Sequence, residues 1–520
     1  MKILRGIRKN AVGAIAPTIV AALIFHVTYL LFGIENNLMA PFVTLSYLRL
    51  RQMNYHMGCM LKHVLIYIVM AVVGYIAVTG PVACAVVNAA ALFWVGYLLI
   101  DEYNPNNYMS AGMALGLFQV SPVDTLPGLG RRILAILVAF AIIAAFALLE
   151  RLWHGKKRPI IESVSEGFQI CETLIAGAEA GADPNAPETA ELHRRMNEVN
   201  HALSQEIYSS NRAAVRRRNP VNWFCQFIVV FQVIDYLTAN YRAAPEYAAD
   251  ARRLLTSYRR KFDTSGPGPE YLRLHLRDNR PDLRSFRLRF ALRLMIVVTP
   301  CLVFRYMGGF PNSYWLVISV LTMMMPFSNE TQERVKERVI GSFCGLVLCF
   351  GLFSLVTSTA GHLVIMAIAN FFVYSAGSYG AMVAFITCSA MATQTLDVLL
   401  LPTLLQRMAY TFAGALIALL ANRFIFPVRA GKQIEYLREL LRDIRVALPK
   451  AETRREKDQM IVKSYMITNR IKALNESLPE GERVGDLAEA EREHVVFMAD
   501  YLLNAGMAAE AKESGWTAME

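Results

Sequence analysis

Arg334 and Arg338 stand four residues apart inside the charged stretch 330–338, so on a helix they share one face. Two planar guanidinium forks on one face can grip a carboxylate bidentately. Glu330, Glu333 and Glu337 lie in the same stretch, and a solvated face with salt bridges across one turn is the competing reading. Two further ionisable residues fall within apolar runs: Arg293, about two turns into one, and His26 inside another. A charge at the bilayer centre costs about 2.5–3.5 kcal/mol on insertion scales, so it faces a partner or a wet cavity. Arg293 is thus either an anion contact or a snorkelling side chain. His26 is either a proton carrier or a hydrogen-bonded structural histidine. Tyr314 and Trp315 open a further apolar run, placed for an interfacial aromatic belt or for stacking against an aromatic substrate. Ser110, Gln119, Ser121, Thr387, Ser389, Thr393 and Gln394 fleck two short apolar runs. They fit helix–helix hydrogen bonding or the lining of a hydrophilic path.

The element that positions most of these residues is the stretch 314–345: an apolar run, a break at Pro326, the charged segment, then a second apolar run. Two hydrophobic passes meet there at a charged elbow on one side of a bilayer. Gly341 and Gly345 share a helix face, and small residues at that spacing let membrane helices approach closely.

Tyr314, Trp315, Ser319, Pro326, Thr331, Arg334, Arg338, Gly341 and Ser342 together resemble the motif of the fusaric acid resistance / aromatic acid exporter family. That motif runs Tyr-Trp, a hydroxyl residue, a helix-ending Pro, then Thr, Arg, Arg and Gly-Thr. Ser319 and Ser342 depart from it, standing where Thr is expected, but both keep the hydroxyl. Tyr379 before Phe385-Ile386-Thr387, and Arg407 before Thr411, Gly414 and Pro427, are similar to the family as well.

Composition restricts the class. The chain has 520 residues, 55% of them hydrophobic, and a mean hydropathy of +0.33, too apolar for an ordinary soluble protein. Only 18% of residues are charged, yet the net charge is +11. In a membrane protein that excess belongs to cytoplasmic loops, so no nucleic-acid partner is expected. The eight cysteines lack metal-ligand spacing and read as buried free thiols. There is no phosphate-binding loop, paired-His zinc motif or nucleophile elbow, so neither an enzyme nor a cofactor is expected. The basic start (Lys2, Arg5, Arg8, Lys9) leads into an apolar run of spanning length, which reads as an uncleaved first helix.

The predicted fold is an all-α polytopic membrane protein with two six-helix transmembrane halves, 1–151 and 286–426, and two cytoplasmic helical regions, 152–285 and 427–520. The spans fall near 11–33, 38–50, 60–79, 81–100, 107–123 and 130–151, then near 286–306, 310–326, 339–357, 361–377, 380–400 and 405–426. The second and fifth are short. Lys/Arg residues put both termini inside, against which Arg131 and Arg132 would lie outside. The apolar run 224–237 carries Asp235 and reads as a core helix of a cytoplasmic bundle rather than a span. Val229-Val230-Phe231 before Asp235-Tyr236-Leu237 is echoed by Val495-Val496-Phe497 before Asp500-Tyr501-Leu502, and Tyr108 by Tyr379. An even span number per half makes this repeat parallel. Arg273, Arg277, Arg280, Arg284, Arg287, Arg289 and Arg293 crowd the approach to the second half.

The resemblance implies an inner-membrane efflux transporter for aromatic or related organic acids, driven by a proton gradient or the membrane potential. Its candidate site residues are Arg293, Tyr314, Trp315, Ser319, Thr331, Arg334, Arg338, Thr387 and Arg407, with His26 as the proton candidate. The implied partners are the lipid bilayer, a small organic acid and a periplasmic adaptor protein. A homodimer would cover the apolar stripe 227–237, although the helical regions of one chain could also cover it. Plant aluminium-activated malate transporters are distantly similar, so a passive anion channel is one alternative. A non-transporting envelope protein anchoring cytoplasmic helices is another.

Overall fold

The structure, a computed structural model, describes residues 2–504 except the segments 53–56, 101–105, 155–159, 214–219, 267–282, 395–399 and 485–491 and the positions 38, 245, 284, 309, 357, 477, 479, 480 and 482. Arg273, Arg277, Arg280 and Arg284 of the expected basic approach therefore lie outside the described residues. The chain is all-helical, with 19 α-helices assigned among the described residues. It divides into two compact units, one made of residues 1–55, 60–152 and 279–433, the other of 56–59, 153–278 and 434–520.

The first unit holds α1 (Lys2–Phe32), α2 (Ile34–Asn37), α3 (Ala40–Gln52), α4 (Met57–Ala77), α5 (Pro81–Leu99), α6 (Tyr108–Val120) and α7 (Leu126–His154). After the excursion into the second unit, α12 (Phe286–Tyr306), α13 (Tyr314–Met323), α14 (Ser328–Leu355), α15 (Thr359–Ser375), α16 (Tyr379–Gln394) and α17 (Leu400–Phe424) complete it. The second unit holds α8 (Ile160–Glu179), α9 (Pro187–Ala213), α10 (Cys225–Ala239), α11 (Glu246–Thr264), most of α18 (Ala430–Ala447) and α19 (Arg454–Glu476).

Among the described residues, six helices are long and apolar enough to cross a membrane: Asn10–Phe32, Met57–Ala77, Pro81–Leu99, Leu126–Glu150, Ser328–Leu355 and Leu401–Phe424. The chain is a multi-pass membrane protein. Each of the twelve expected spans coincides with a helix among the described residues, but α6, α13, α15 and α16 are apolar helices of shorter length, and α3, with 13 residues and Arg49 and Arg51 in its last turn, is not among the apolar ones. The helix α12 carries Arg287, Arg289, Arg293 and Arg305, which removes it from the fully apolar class.

Small residues set the spacing inside this unit. Gly96 of α5 lies so close to α12 that a Cβ there would stand 2.9 Å from the Cα of Ala291. Gly341 and Gly345 of α14 face α16, where a Cβ would come within 2.3 Å of the Gly380 carbonyl and 2.5 Å of the Ala384 carbonyl. Gly414 of α17 does the same against Ser319 of α13, at 2.7 Å. With no hydrophobic force between helices in lipid, such close backbone approach is what makes packing favourable. The segments on either side of the second unit share this one body: α5 packs on α12, α6 on α13 and α1 on α15. Tyr108 fastens α6 to the end of α13, its hydroxyl donating to the carbonyls of Leu321 and Met324.

The elbow after α13 is a knot of main-chain contacts. Pro326 cannot continue the helix, and Met324 before it is extended. Thr331 Oγ1 accepts from the Met325 amide (3.1 Å) and lies 3.2 Å from the carbonyls of Met325 and Phe327. The Ser328 amide donates to the Val428 carbonyl, and Asn422 donates to the Ser328 carbonyl, tying the elbow to the far end of α17.

In the second unit α10 is apolar on nearly every side and lies at the centre, packed by α8, α9, α11 and α19. Phe227 and Phe231 are fully buried, and Phe168 meets both rings edge-on. Gly167 is required there, since a Cβ would stand 2.3 Å from the Phe231 ring. The stripe 227–237 is thus covered within one chain. Asp235, the charge that spoils this helix as a span, pairs with His193 Nδ1 at 2.7 Å. Burial pushes the Cys171 and Cys225 thiols well up, so neither is a ready nucleophile.

Candidate functional site

Three features bring the elbow arginines into a site: the Pro326 break, the Gly341/Gly345 contact with α16 and the Gly414 contact with α13. Together they hold α13, α14, α16 and α17 close around Arg338 and Arg407. Arg407 on α17 is 2% exposed. Its guanidinium carbon lies over the Trp315 ring, 3.7 Å from the centroid, and Nη2 donates to Thr387 Oγ1 at 3.3 Å. A long contact from Nη1 reaches the Met391 sulfur at 3.9 Å. Arg338 on α14 is 4% exposed and makes no hydrogen bond or ion pair among the described residues. The two arginines stand on helices that pack directly against each other, α14 and α17.

Several buried donors on the same helices lack partners among the described residues. Arg338 Nε, Ser342 Oγ, Trp315 Nε1 and Tyr379 Oη are all buried and unpartnered among the described residues. Ser342 stands one turn beyond Arg338 on the same helix face. Buried polar groups are satisfied in the great majority of cases, so these donors stand out from the rest of the membrane unit's polar contacts. Arg334, one turn before Arg338, is half-buried and lies over Tyr379 at 3.7 Å. Neither elbow arginine has a carboxylate within salt-bridge distance among the described residues, so the solvated salt-bridged face does not form.

The other candidates have different places. Arg293 is fully buried and four of its five donors are used. They go to the Ile425 carbonyl (3.0 Å), the Met325 carbonyl (3.2 Å), Asn422 Oδ1 (3.0 Å) and the Phe426 carbonyl (2.7 Å). Phe426 sits at φ 46°, a strained setting for a bulky residue, and the Arg293 bonds hold its carbonyl there. Arg293 is thus a corner clamp rather than a snorkelling side chain or an offered cation. Thr331 belongs to the same corner. His26 is exposed on α1 and pairs with the Ala22 carbonyl through Nδ1 at 2.8 Å. Tyr314 packs against Trp315 with ring centroids 4.9 Å apart, and Ser319 is buried opposite Gly414. The side chains of Thr393 and Gln394 lie outside what is described, while Ser389 donates to Asn370.

Arg132, which the sequence offers only as a charge against the topology, is a buried clamp. It is 1% exposed on α7 and bonds Asn36 Oδ1 (3.1 Å) and the carbonyls of Phe118 (2.9 Å), Ser121 (2.5 Å) and Glu35 (3.5 Å). One signal was available: Arg132 and Arg407 each follow a Leu-Pro pair by five residues, Leu126-Pro127 and Leu401-Pro402.

An all-helical, multi-pass unit with a buried basic site between its second-half helices defines a class of membrane protein. Residues 298–421, which carry Trp315, Arg334, Arg338, Thr387 and Arg407, match the family described as fusaric acid resistance protein-like. The chain is 28% identical over 145 residues to inner membrane protein YccS of Escherichia coli (strain K12), covering 28% of this chain and 20% of that protein. It is also 28% identical over 145 residues to an uncharacterized protein of Haemophilus influenzae, covering 27% and 20%. The match thus spans about a fifth of the length of these curated relatives. No solved structure matches.

Proposed function

We propose that this protein moves organic acids, aromatic ones among them, out across an inner membrane. The carrying observation is the pair of buried arginines, Arg338 and Arg407, that have no carboxylate partner among the described residues. A guanidinium does not deprotonate, and an uncompensated buried charge costs several kcal/mol, so the site favours an anionic occupant. The fusaric acid resistance protein-like match and the inner-membrane name of the Escherichia coli relative support efflux and location.

In this reading the chain is a parallel repeat of two six-helix halves. The pairings α1 with α15 and α12 with α5 are what a two-fold relation between halves would generate. The shared Leu-Pro-x4-Arg spacing adds support. Both termini and the second unit lie in the cytoplasm, energy comes from the proton gradient or the membrane potential, and a periplasmic adaptor continues the path.

Uptake and efflux in reconstituted vesicles, with a panel of aromatic and aliphatic carboxylates, test the central claim. Flux that falls by about tenfold or more in Arg338→Lys and Arg407→Lys at matched insertion supports it, and absence of flux for every acid sinks it. Accelerated exchange against loaded substrate identifies a carrier rather than a channel. A reporter fused after Lys157 that proves periplasmic ends the topology.

A further inference from the structure

We infer that the Arg338–Arg407 site takes an organic dianion, a compound with two negative charges on one frame, in preference to a monoanion. The inference rests on the reading of this site as an organic-anion site and adds its charge. Arg338 and Arg407 are both almost fully buried, and each carries a permanent positive charge. No acidic side chain balances either one among the described residues. The carboxylates of the elbow do not change this. Glu333 is exposed, Glu337 is one position from Arg338 and so points about a quarter-turn away, and Glu330 lies two turns back. Arg334 adds a third cation at the margin, turned onto Tyr379.

The neutral groups lean the same way. Trp315 Nε1 is a donor only, and the hydroxyls of Ser342 and Tyr379 are buried with hydrogens to give. Thr387 already accepts from Arg407, which leaves its own hydrogen for a ligand. The site therefore offers two full charges and several donors. A monocarboxylate neutralises one guanidinium and leaves the other buried and uncompensated. Two carboxylates on one frame neutralise both and bring four acceptor oxygens to the donors. The contact of Arg407 with the Trp315 ring and its bond to Thr387 limit where its fork can lie, which suits a ligand whose second charge has a set distance from the first.

The test compares two ligands of nearly equal size on the full-length protein in nanodiscs: isophthalate and its monomethyl ester, at pH about 7.5, where every free carboxyl is ionised. Isophthalate is expected to bind at least about tenfold more tightly than the ester. Arg338→Gln is expected to erase that gap while ester binding persists. The wild-type comparison needs no variant, so a misfolded mutant does not decide the outcome. Equal or tighter binding of the monoester overturns the dianion inference and leaves the organic-anion reading standing. If isophthalate, the ester and benzoate all fail to bind, both fall. Inorganic sulfate binding as tightly as isophthalate overturns the organic part of the inference.

Discussion

Arg132 in α7 and Arg407 in α17 each stand five residues after a Leu-Pro pair, and each is buried in the membrane unit, yet their surroundings are opposites. Arg132 is ringed by carbonyl oxygens from the ends of α2 and α6, with one face toward Phe118 at 5.2 Å. Arg407 has an aromatic face, one hydroxyl and a sulfur. A cation saturated by main-chain oxygens is a fastener, because those oxygens also depend on it. A cation resting on a π-face keeps its edge donors for something else. The same residue type at the same sequence spacing thus closes a corner in one place and opens a site in another.

The comparison can be broken most directly at its two members. Arg132→Met leaves up to four buried acceptors without a donor and should lower stability by about 3 kcal/mol or more. Thermal unfolding in detergent reads this as a clear drop in midpoint or a loss of monodisperse protein. Arg407→Met removes an uncompensated charge and should leave stability unchanged or raise it by up to about 2 kcal/mol, with transport abolished. Equal destabilisation by both would erase the distinction.

A second test asks what a buried base does when it is able to lose its proton. His494 in the second unit is 5% exposed, with Nδ1 unpartnered. Burial, and then the neighbouring Arg445, lower its pKa from the ordinary 6.5 to about 4. The unfolded chain binds this proton more readily, so the neutral ring contributes stability fully above pH about 6.5. That contribution, at most about 3 kcal/mol, is lost as pH falls from about 6.5 to about 4 and is constant below. Urea unfolding of the protein at stepped pH, followed by tryptophan emission from Trp223, should lose this component in His494→Gln. An unchanged pH slope in the variant would mean that His494 is not the titrating group. Histidine escapes its uncompensated site by becoming neutral; arginine, which keeps its proton, has no such exit.

Packing sharpens the picture further. Gly345→Val forces a methyl-bearing carbon against the Ala384 carbonyl and Thr387, and should cost about 1–3 kcal/mol while moving Thr387 away from Arg407. Transport should fall more than stability, read by flux at matched protein amounts. The smallest effect is expected from Arg334→Lys, since a lysine ammonium also stacks on Tyr379, whereas Arg338→Lys should reduce flux by about tenfold through loss of the fork. Matching losses from both would make the elbow a single functional surface.

Much of the fold is legible because hydropathy and punctuation are local. The elbow at Pro326, the glycine pair on α14 and the buried character of α10 all rest on residues within a few turns of one another. The site is only half legible for the opposite reason. Trp315, Arg338, Thr387 and Arg407 each stand out singly, but the stacking of Arg407 on Trp315 joins residues 92 positions apart. Arg293 looked like a possible anion contact because its acceptors, the carbonyls at the end of α17, carry no side-chain signature at all. Arg132 counted only as a charge on the wrong side of a topology, and nothing local shows that four oxygens neutralise its hydrogen-bonding need.

Those distant acceptors bear on how the chain is made. The donors of Arg293 meet oxygens 32, 129, 132 and 133 residues further along. At about 5–20 residues per second, ribosomes need roughly 7–26 seconds to reach Ile425 after Arg293 has emerged. Throughout that interval α12 carries a guanidinium whose main partners do not yet exist. Its integration into the bilayer is therefore expected to be provisional, becoming permanent only when α17 arrives, so that nascent chains truncated before residue 425 should release α12 from the membrane far more readily than α14.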